Sequence, residues 1–307
     1  MDLRQLSYLA AVADHGSFTA AAKALHTVQS NVSGHVARLE KELGVELIDR
    51  STGQPTAEGR VVIERTRRIQ SELNAIAADV QSSRTEVTGT VRIGLIGTTA
   101  RWLVPRLITA MNERHPRVTV EVLDATTASL VLQLNTGAID LAVLTIPTND
   151  PNVVTSPLFT EDRLLAAPLT HPLARVRYIT LADLDGVPLI VEPSGRPFRA
   201  QLERLFEDNG YTLGIAAEVD GTRLVASLAF EGFGAAILPA SAVSNRPGLG
   251  WHVVPVEGLP GRTVGIGTRR QALLSAPAIA LREMLRMVIT ERAADQPGIH
   301  PHHVTDR

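Results

Sequence analysis

Apolar residues recur with different periods along the chain, and these changes divide it into three parts. Residues 28–43 carry apolar side chains spaced four, four, three and four residues apart, which predicts an amphipathic helix. Residues 57–82 follow a heptad pattern, and from residue 90 short β-branched runs alternate with helical stretches. The sequence therefore predicts a small helical domain, a long helix and a larger α/β domain.

Capping and turn residues before and after the amphipathic helix of residues 28–43 predict a helix-turn-helix with a wing, in which this helix is the second. Ser17 is a suitable N-cap for an alanine-rich helix beginning near Phe18, and residues 26–27 form a short break before the next helix. Gly44 ends that second helix, and residues 45–55 alternate like a short strand before becoming turn-rich. The alternative is an ordinary helical hairpin whose polar residues simply face water.

The start of the second predicted helix carries polar residues that suit DNA. Its first turns contain no acidic residue, because Glu40 and Glu42 lie in its second half. No side-chain charge therefore offsets the positive end of the helix dipole at this end of the helix. Short donors and acceptors at these positions suit base edges. Residues 1–89 hold ten Lys and Arg against eleven Asp and Glu, so bulk charge does not indicate a nucleic-acid-binding domain. The candidate DNA-contacting residues are Gln29, Ser30, Asn31, Ser33, His35, Arg38, Arg50 and Thr56.

The heptad stretch predicts a long helix that pairs two chains. Thr56 is its expected N-cap, Gly59 an early weak point, and Thr66 a single polar interruption of the apolar seam. The alternative is an amphipathic helix packed on its own domain. We favour dimerisation because no other apolar stretch nearby is available to cover the seam, and we place a hinge in residues 81–89. The candidate dimerisation residues are Val62, Ile69, Leu73, Ile76 and Val80.

Two pairs of threonines follow the first two predicted strands of the α/β part. Ligands in open α/β units bind at the carboxyl ends of strands, where helix N-termini gather. Hydroxyls and free N–H groups there suit a carboxylate. Thr98, Thr99, Thr126 and Thr127 are therefore candidate ligand-binding residues, with simple N-caps as the alternative.

The first fifty residues closely resemble the N-terminal domain of LysR-type transcriptional regulators. The resemblance rests on the opening LRQL, on GSF at residues 16–18, on Gln29 and Ser33, and on RLE followed by ELG at 38–44. TGAIDLAV, HPLA and EGFGAAILP extend the resemblance to about residue 292. Three departures stand out, namely Ser30 where the family usually has proline, Gly34 where a basic residue often follows the serine, and a short wing. These departures concern base preference and leave the class unchanged.

The resemblance implies a fold and an assembly. We expect a winged helix-turn-helix at 1–59, a linker helix and hinge at 60–89, and a two-lobed effector domain like a periplasmic binding protein at 90–292. Lobe I would comprise about 90–160 and 268–292, and lobe II 161–267. The linker helix would pair chains into dimers, and effector domains would build tetramers. In the family layout the second lobe adds the candidate effector-binding residues Arg196, Phe198, Gly221 and Thr222, with Arg199 as a second candidate clamp. Either arginine is alternatively a plain surface residue.

Composition excludes several classes of protein. The chain of 307 residues has no cysteine, which excludes disulfides, thiol catalysis and cysteine metal clusters. We find no signal peptide, no apolar run long enough for a membrane span and no G-x-S-x-G elbow, and histidines 300, 302 and 303 lack a second ligand cluster. Two rivals are a solute-binding protein, which needs a signal sequence, and an enzyme on the two-lobed fold, which needs a catalytic constellation.

The combined prediction is a cytoplasmic, non-enzymatic transcription regulator without metal or cofactor. Its expected partners are double-stranded promoter DNA, a small-molecule effector with carboxylates as the candidate class, and further copies of itself, with RNA polymerase as an additional candidate. Residues 293–307 are expected to be disordered.

Overall fold

The computed structural model describes residues 1–82, 86–243, 250–270 and 272–302, and these residues contain nine α-helices and twelve strands. None of the described helices is long and apolar enough to cross a membrane. The helices are α1 Leu3–His15, α2 Phe18–Ala24, α3 Gln29–Leu43, α4 Ala57–Ser82, α5 Gly97–Arg114, α6 Thr127–Thr136, α7 Pro197–Asp208, α8 Thr222–Phe230 and α9 Ala276–Ala293. The strands are β1 Gly89–Leu95, β2 Val118–Asp124, β3 Leu141–Ile146, β4 Val153–Glu161, β5 Arg163–Pro168, β6 Ile179–Thr180, β7 Leu189–Val191, β8 Ile215–Glu218, β9 Ala236–Pro239, β10 Trp251–Glu257, β11 Arg262–Arg269 and β12 Ile299–Pro301.

Helices α1, α2 and α3 form the N-terminal domain around one apolar core. The hydroxyl of Ser17 accepts a hydrogen bond from the Ala20 N–H at 3.1 Å, so the predicted N-cap of α2 is present. Helix α3 ends at Gly44, whose φ of +72° favours glycine. Its apolar stripe is buried only in the middle, because Val28 and Leu43 at its two ends are exposed. The predicted helix-turn-helix is confirmed.

The wing is shorter than the sequence indicates. The predicted strand of residues 45–50 is reduced to one isolated bridge between Ile48 and Pro55. Gly59, expected to be a weak point, is required by packing: a Cβ there would overlap the carbonyl oxygen of Leu47. Helix α4 therefore passes so close to the wing that only glycine fits at this position.

Helix α4 has the predicted bounds, and its faces differ in burial. Thr66 is 1% exposed and its hydroxyl donates to the Val62 carbonyl at 2.8 Å, so it does not interrupt an external seam. Val62 packs against the core of the N-terminal domain, which corrects its assignment to the dimerisation seam. Ile69, Leu73 and Ile76 are 39, 43 and 60% exposed. The exposed apolar face therefore begins near residue 69. The predicted hinge lies partly in residues 83–85, outside the described residues.

Lobe I is built on a six-stranded sheet in the order β12-β4-β11-β3-β1-β2. Strands β1, β2 and β3 are mutually parallel, as the strand–helix–strand pattern predicts, whereas β11, β4 and β12 join antiparallel. Because β11 pairs with β3, it belongs to lobe I, and the predicted lobe boundary at residue 267 is wrong. The return from lobe II lies between β10 and β11, where residues 258–261 connect the two strands.

Lobe II contains a four-stranded sheet in the order β6-β10-β5-β9 and the parallel pair β7-β8. The chain enters this lobe between β4 and β5 and leaves it between β10 and β11. These two connections therefore form the base of the cleft between lobe I and lobe II, which is called the cleft below. Strands β4 and β10 escape the sequence analysis because prolines and polar residues interrupt them.

The prediction of disorder from residue 293 is wrong for the described residues up to 302. Strand β12 pairs with β4, and the side-chain amide of Gln296 donates to the carbonyls of Ala240 and Val243 at 2.8 and 2.9 Å. The segment is ordered because it completes the edge of the lobe I sheet. Residues 303–307 lie outside the described residues.

Candidate DNA interface and effector site

The first turn of α3 presents the predicted DNA-contacting residues to solvent. Gln29, Ser30 and Asn31 are exposed, and no acidic residue lies in this turn. The Asn31 side-chain N–H donates to the Thr27 hydroxyl at 3.1 Å, which leaves the amide oxygen available as an acceptor. This geometry allows the helix end to meet phosphate and base edges.

Histidine 35 lies on the inner side of α3 and is not placed to contact DNA. Its ring packs edge-on against Tyr8 of α1, with centroids 4.8 Å apart at 89°. Its Nδ1 is buried without a hydrogen-bond partner among the described residues. Ser33 is half-buried, and Arg38, which is exposed, donates from Nε to the Gly34 carbonyl at 3.2 Å.

Arginine 50 attaches the wing to α3. Its guanidinium pairs with Glu40 at 2.5 Å and lies 4.8 Å from the centroid of the Phe18 ring. The other oxygen of Glu40 accepts the N–H groups of Leu47 and Ile48 at 2.9 and 3.2 Å. The described contacts of Arg50 lie within the domain and leave 43% of its side chain exposed, so its contact with DNA stays a prediction.

Threonine 56 caps α4 instead of facing outward. Its hydroxyl accepts the Gly59 N–H at 2.9 Å and donates to the Glu46 carbonyl at 2.8 Å. Both hydrogen bonds lie within the domain, as the predicted N-cap role requires, so its assignment to DNA contact lacks support in this geometry.

The first threonine pair lies inside helix α5, which begins four residues earlier than the sequence indicates. The Thr98 hydroxyl accepts a hydrogen bond from Arg262 at 2.7 Å. Thr99 is fully buried, and its hydroxyl has no partner among the described residues. Helix α5 also lacks a side-chain cap, because Ile96 occupies the N-cap position. Its first turn therefore holds donors that no described side chain satisfies.

The second threonine pair serves the start of α6. Thr126 is its N-cap and accepts the Ser129 N–H at 3.4 Å, while the Thr127 hydroxyl accepts the Thr145 N–H at 3.3 Å. The capping alternative is therefore correct for Thr126. The two residues lie two and three positions after the last residue of β2.

A buried ion pair at the base of the cleft escapes the sequence analysis. Glu161 is 0% exposed, accepts from Arg262 Nε at 2.5 Å and accepts the Ser241 N–H at 2.7 Å. Its partners lie 80 and 101 residues away, and a sequence pattern carries no signal at such separations. The pair fixes both lobe-crossing connections to each other.

The predicted effector-binding residues of lobe II each make a different contact within the lobe. Arg196 pairs with Asp220 at 2.7 Å, and the Thr222 hydroxyl donates to Glu192 at 2.8 Å. The Phe198 ring lies 3.8 Å from the guanidinium carbon of Arg163. Gly221 precedes α8 with a φ of +98°. Its backbone is thus in a conformation that favours glycine.

Arginine 199 is not a free clamp. It is 4% exposed and donates to Glu203 at 2.8 Å and to Glu218 at 3.1 Å. Its guanidinium holds α7 to β8.

Three elements from the two lobes meet at the cleft. Arg223 at the start of α8 pairs with Asp124 at the end of β2, and a Cβ on Gly97 would lie 2.9 Å from Arg223 Cδ. Thr98, Thr126 and Thr222 are each one or two residues away from these positions. The structure thus brings three parts of the predicted effector site to one place.

Comparison with protein families matches the chain in two segments. Residues 3–60 match the bacterial regulatory helix-turn-helix protein, lysR family, and residues 84–289 match the LysR substrate binding domain. The chain belongs to the LysR family. It is a DNA-binding transcription regulator with an effector-binding domain, and its relatives are regulators and not enzymes.

Similar LysR regulators cover almost the whole chain. A probable hydrogen peroxide-inducible genes activator of Streptomyces viridosporus is 33% identical over 298 residues, covering 92% of this chain and 94% of that protein. The DNA-binding transcriptional dual regulator OxyR of Escherichia coli K12 is 29% identical and covers 93% and 95%.

Solved LysR structures share the same architecture. A cysteine-to-aspartate variant of full-length OxyR from Pseudomonas aeruginosa is 25% identical, with a TM-score of 0.76 over 100% of this chain and 99% of that chain. Full-length CbnR in complex with its target DNA is 28% identical, with a TM-score of 0.69 over 94% and 100%.

Proposed function

We propose that this LysR regulator responds to a small organic carboxylate bound between its lobes. Lobe I would supply Thr98, Thr99, Thr126 and Thr127, and lobe II Arg196, Phe198, Gly221 and Thr222. The observation that carries the proposal is the fully buried, unpartnered hydroxyl of Thr99 in the uncapped first turn of α5. A carboxylate there would accept the free N–H groups and the hydroxyl together.

A thiol-based peroxide response is excluded for this chain. Several relatives are named hydrogen peroxide-inducible genes activators, and one solved relative is a cysteine variant of OxyR. Peroxide oxidises a cysteine thiolate, and this sequence contains no cysteine. An effector that binds without covalent chemistry fits the chain better.

The effector proposal is tested by thermal unfolding of the full chain with matched acids and amides. Acetate is compared with acetamide, and benzoate with benzamide, alongside amino acids. A ligand at a hundred times its Kd adds about 2.7 kcal/mol of stability. We expect stabilisation by an acid and not by its amide, and loss of that stabilisation in Thr99→Val.

Thr99→Val is chosen because valine keeps the shape of threonine and removes only the hydroxyl. Thr109→Val on the exposed side of the same helix is the matched control. Equal stabilisation by acid and amide, or an unchanged response in Thr99→Val, would contradict the carboxylate site.

We propose that Gln29, Ser30 and Asn31 read the operator, because they are the exposed polar residues at the N-terminal end of α3. Gln29→Ala should cost about 1–3 kcal/mol at the specific site and almost nothing on random DNA. Fluorescence anisotropy with an operator selected from random sequences and with a scrambled duplex measures both. An equal loss on the two duplexes would show that Gln29 does not read bases.

We propose that the exposed apolar face of α4 pairs two chains. Ile69, Leu73 and Ile76 lie at heptad-compatible spacing and are 39–60% exposed. Leu73→Asp and Ile76→Asp should convert dimers to monomers in light scattering. Leu169→Asp, at a 46% exposed leucine of lobe II, is the control. An unchanged mass in the α4 variants would refute the pairing.

We further propose that effector domains join such dimers into tetramers on promoter DNA in the cytoplasm, and that RNA polymerase is contacted there. The support for this assembly is the family resemblance, and light scattering of the wild type tests the tetramer.

A further inference from the structure

Glutamate 40 is an acidic residue of α3 whose carboxylate contacts the wing instead of solvent. Its side chain is only 12% exposed. One carboxylate oxygen accepts the N–H groups of Leu47 and Ile48 at 2.9 and 3.2 Å, and the other accepts from Arg50 Nη2 at 2.5 Å. Both oxygens therefore bind residues of the wing, and the negative charge is turned away from the outer face of α3.

The guanidinium of Arg50 is restrained by three residues and is still open to solvent. It pairs with Glu40, its carbon lies 4.8 Å from the centroid of the Phe18 ring, and Nη1 donates to the Ser33 hydroxyl at 3.5 Å. A guanidinium has five N–H donors, and Glu40 and Ser33 each accept from one of them. Three donors therefore have no partner among the described residues, on a side chain that is 43% exposed.

These free donors lie beside the part of α3 that is proposed to read the operator. Ser33 follows Gln29 by four residues and Glu40 follows Ser33 by seven, so the three side chains lie on one side of the helix. Because Arg50 contacts both Ser33 and Glu40, its guanidinium lies along that side, about one helical turn from Gln29. A guanidinium in a fixed orientation can donate two parallel N–H groups to a phosphate.

We propose that Glu40 is a positioning residue for DNA binding and acts through Arg50. Its carboxylate fixes the wing and one edge of the guanidinium, so that the opposite edge donates to a DNA phosphate beside α3. The proposal rests on the predicted contact of Arg50 with DNA and goes beyond it. An acidic residue in a DNA-binding helix would otherwise be expected only to repel the phosphates.

The charge of the N-terminal part of the chain makes the orientation of single arginines important. Residues 1–89 hold ten Lys and Arg against eleven Asp and Glu. An excess of positive charge that would hold DNA without directed contacts is therefore absent from this part of the sequence. Each correctly placed cation then contributes a large share of the affinity.

The test measures binding of the full chain to a selected operator and to a scrambled duplex by fluorescence anisotropy over a range of salt concentrations. Arg50→Gln should weaken binding to both duplexes about tenfold, because one phosphate contact is lost. The magnitude of the slope of log K against log salt concentration should fall by about 0.9.

Glu40→Gln should cause the same two changes, although it removes a negative charge. Glutamine keeps an acceptor oxygen for the N–H groups of Leu47 and Ile48 but no longer pairs with Arg50. In the Arg50→Gln background, Glu40→Gln should have no further effect on binding, because Glu40 acts through Arg50.

Glu42→Gln is the matched control. It removes the same charge from the same helix, at a 51% exposed residue that pairs with the N-terminal amine, and it should not weaken binding. Tighter binding in Glu40→Gln, or an equal effect of Glu40→Gln with and without Arg50, would overturn the proposal. A loss confined to Arg50→Gln would overturn the role of Glu40 alone, whereas unchanged binding in Arg50→Gln would overturn the predicted Arg50 contact as well.

Arg50→Lys covers the case in which Glu40→Gln fails to fold, because it changes only an exposed side chain. Lysine keeps the positive charge but has no planar fork with which to bind Glu40 and a phosphate on opposite edges. We expect a loss of affinity as large as in Arg50→Gln. Wild-type affinity in Arg50→Lys would show that a positive charge is sufficient and would overturn the positioning role of Glu40.

Discussion

Glu161→Gln is the substitution whose energetic effect the structure defines most sharply. The Glu161 side chain is 0% exposed and its Arg262 partner 14%, with 2.5 Å between the bonded atoms. Glutamine keeps the shape and an acceptor for the Ser241 N–H, but leaves the arginine charge without its counter-ion. Breaking one side of a buried pair in this way costs about 3–5 kcal/mol. Because the acceptor is retained, we expect a loss of about 3 kcal/mol, at the lower end of that range.

Tryptophan fluorescence during urea unfolding measures this loss of stability in the effector domain, which contains the Glu161–Arg262 pair. The chain has two tryptophans, Trp102 and Trp251, and both lie in the effector domain. Trp102 is 7% exposed and packs against Phe159 of β4, so its emission reports the unfolding of lobe I. The midpoint should fall while the slope m stays constant, because the surface exposed on unfolding is unchanged.

A double-mutant cycle separates the pair from its surroundings. Arg262→Met alone leaves Glu161 buried and unpaired, whereas the double variant carries neither charge of the pair, so it should be more stable than the sum of the single losses predicts. The exposed pair Arg92–Glu121 is the control, since Glu121→Gln should change stability by less than about 1 kcal/mol. A loss below about 1 kcal/mol for Glu161→Gln, or strict additivity in the cycle, would refute the reasoning.

Two further substitutions test local geometry. Gly59→Ala should destabilise the N-terminal domain by about 1–3 kcal/mol, because its Cβ overlaps the Leu47 carbonyl, whereas an open helical position would gain from alanine. Circular dichroism melting measures it, and a stabilised variant would contradict the close approach. Burial raises the pKa of Asp140 above its ordinary value of 3.8 in the folded protein. The free energy of unfolding therefore falls as the pH rises from 3.8 through this raised pKa, because the buried carboxyl ionises, and it is regained when the carboxyl is protonated. Asp140→Asn keeps an acceptor for the Arg92 N–H, so it should raise the unfolding temperature at pH 7 and flatten its pH dependence. A lower unfolding temperature at pH 7 would show that the charge is stabilising.

Local sequence patterns predict where the helices of this fold begin and end, but they do not predict which side of each helix the rest of the protein covers. Ser17, Gly44 and Thr56 mark helix ends because capping depends on a few neighbouring residues, and all three act as the sequence indicates. The heptad places α4 correctly, but it does not show that the N-terminal domain covers the side bearing Val62 and Thr66.

The same distinction between local patterns and long-range contacts separates the functional sites that the sequence predicts from those that it does not. The exposed end of α3 is predictable from its polar sequence and its position after a turn. The pair Glu161–Arg262 depends on contacts between distant segments, and single arginines and glutamates carry no local signal. The error over Arg199 has the same origin: its carboxylate partners on α7 and β8 become visible only after folding.

Strand β11 connects the effector cleft with the linker helix, and this gives the fold a physical route from one to the other. Arg262 at its first residue contacts Glu161 and Thr98, while Arg269 at its last residue pairs with Glu72 of α4 at 3.1 Å. Helix α4 is held further by Arg68, whose Nε donates to the Asn135 carbonyl at 2.6 Å, and its N-terminal half packs on the DNA-binding domain. Because one strand carries both contacts, a movement of the cleft that displaces β11 also displaces the attachment of α4. By linkage, any factor by which effector binding changes the affinity for DNA is also the factor by which DNA binding changes the affinity for the effector.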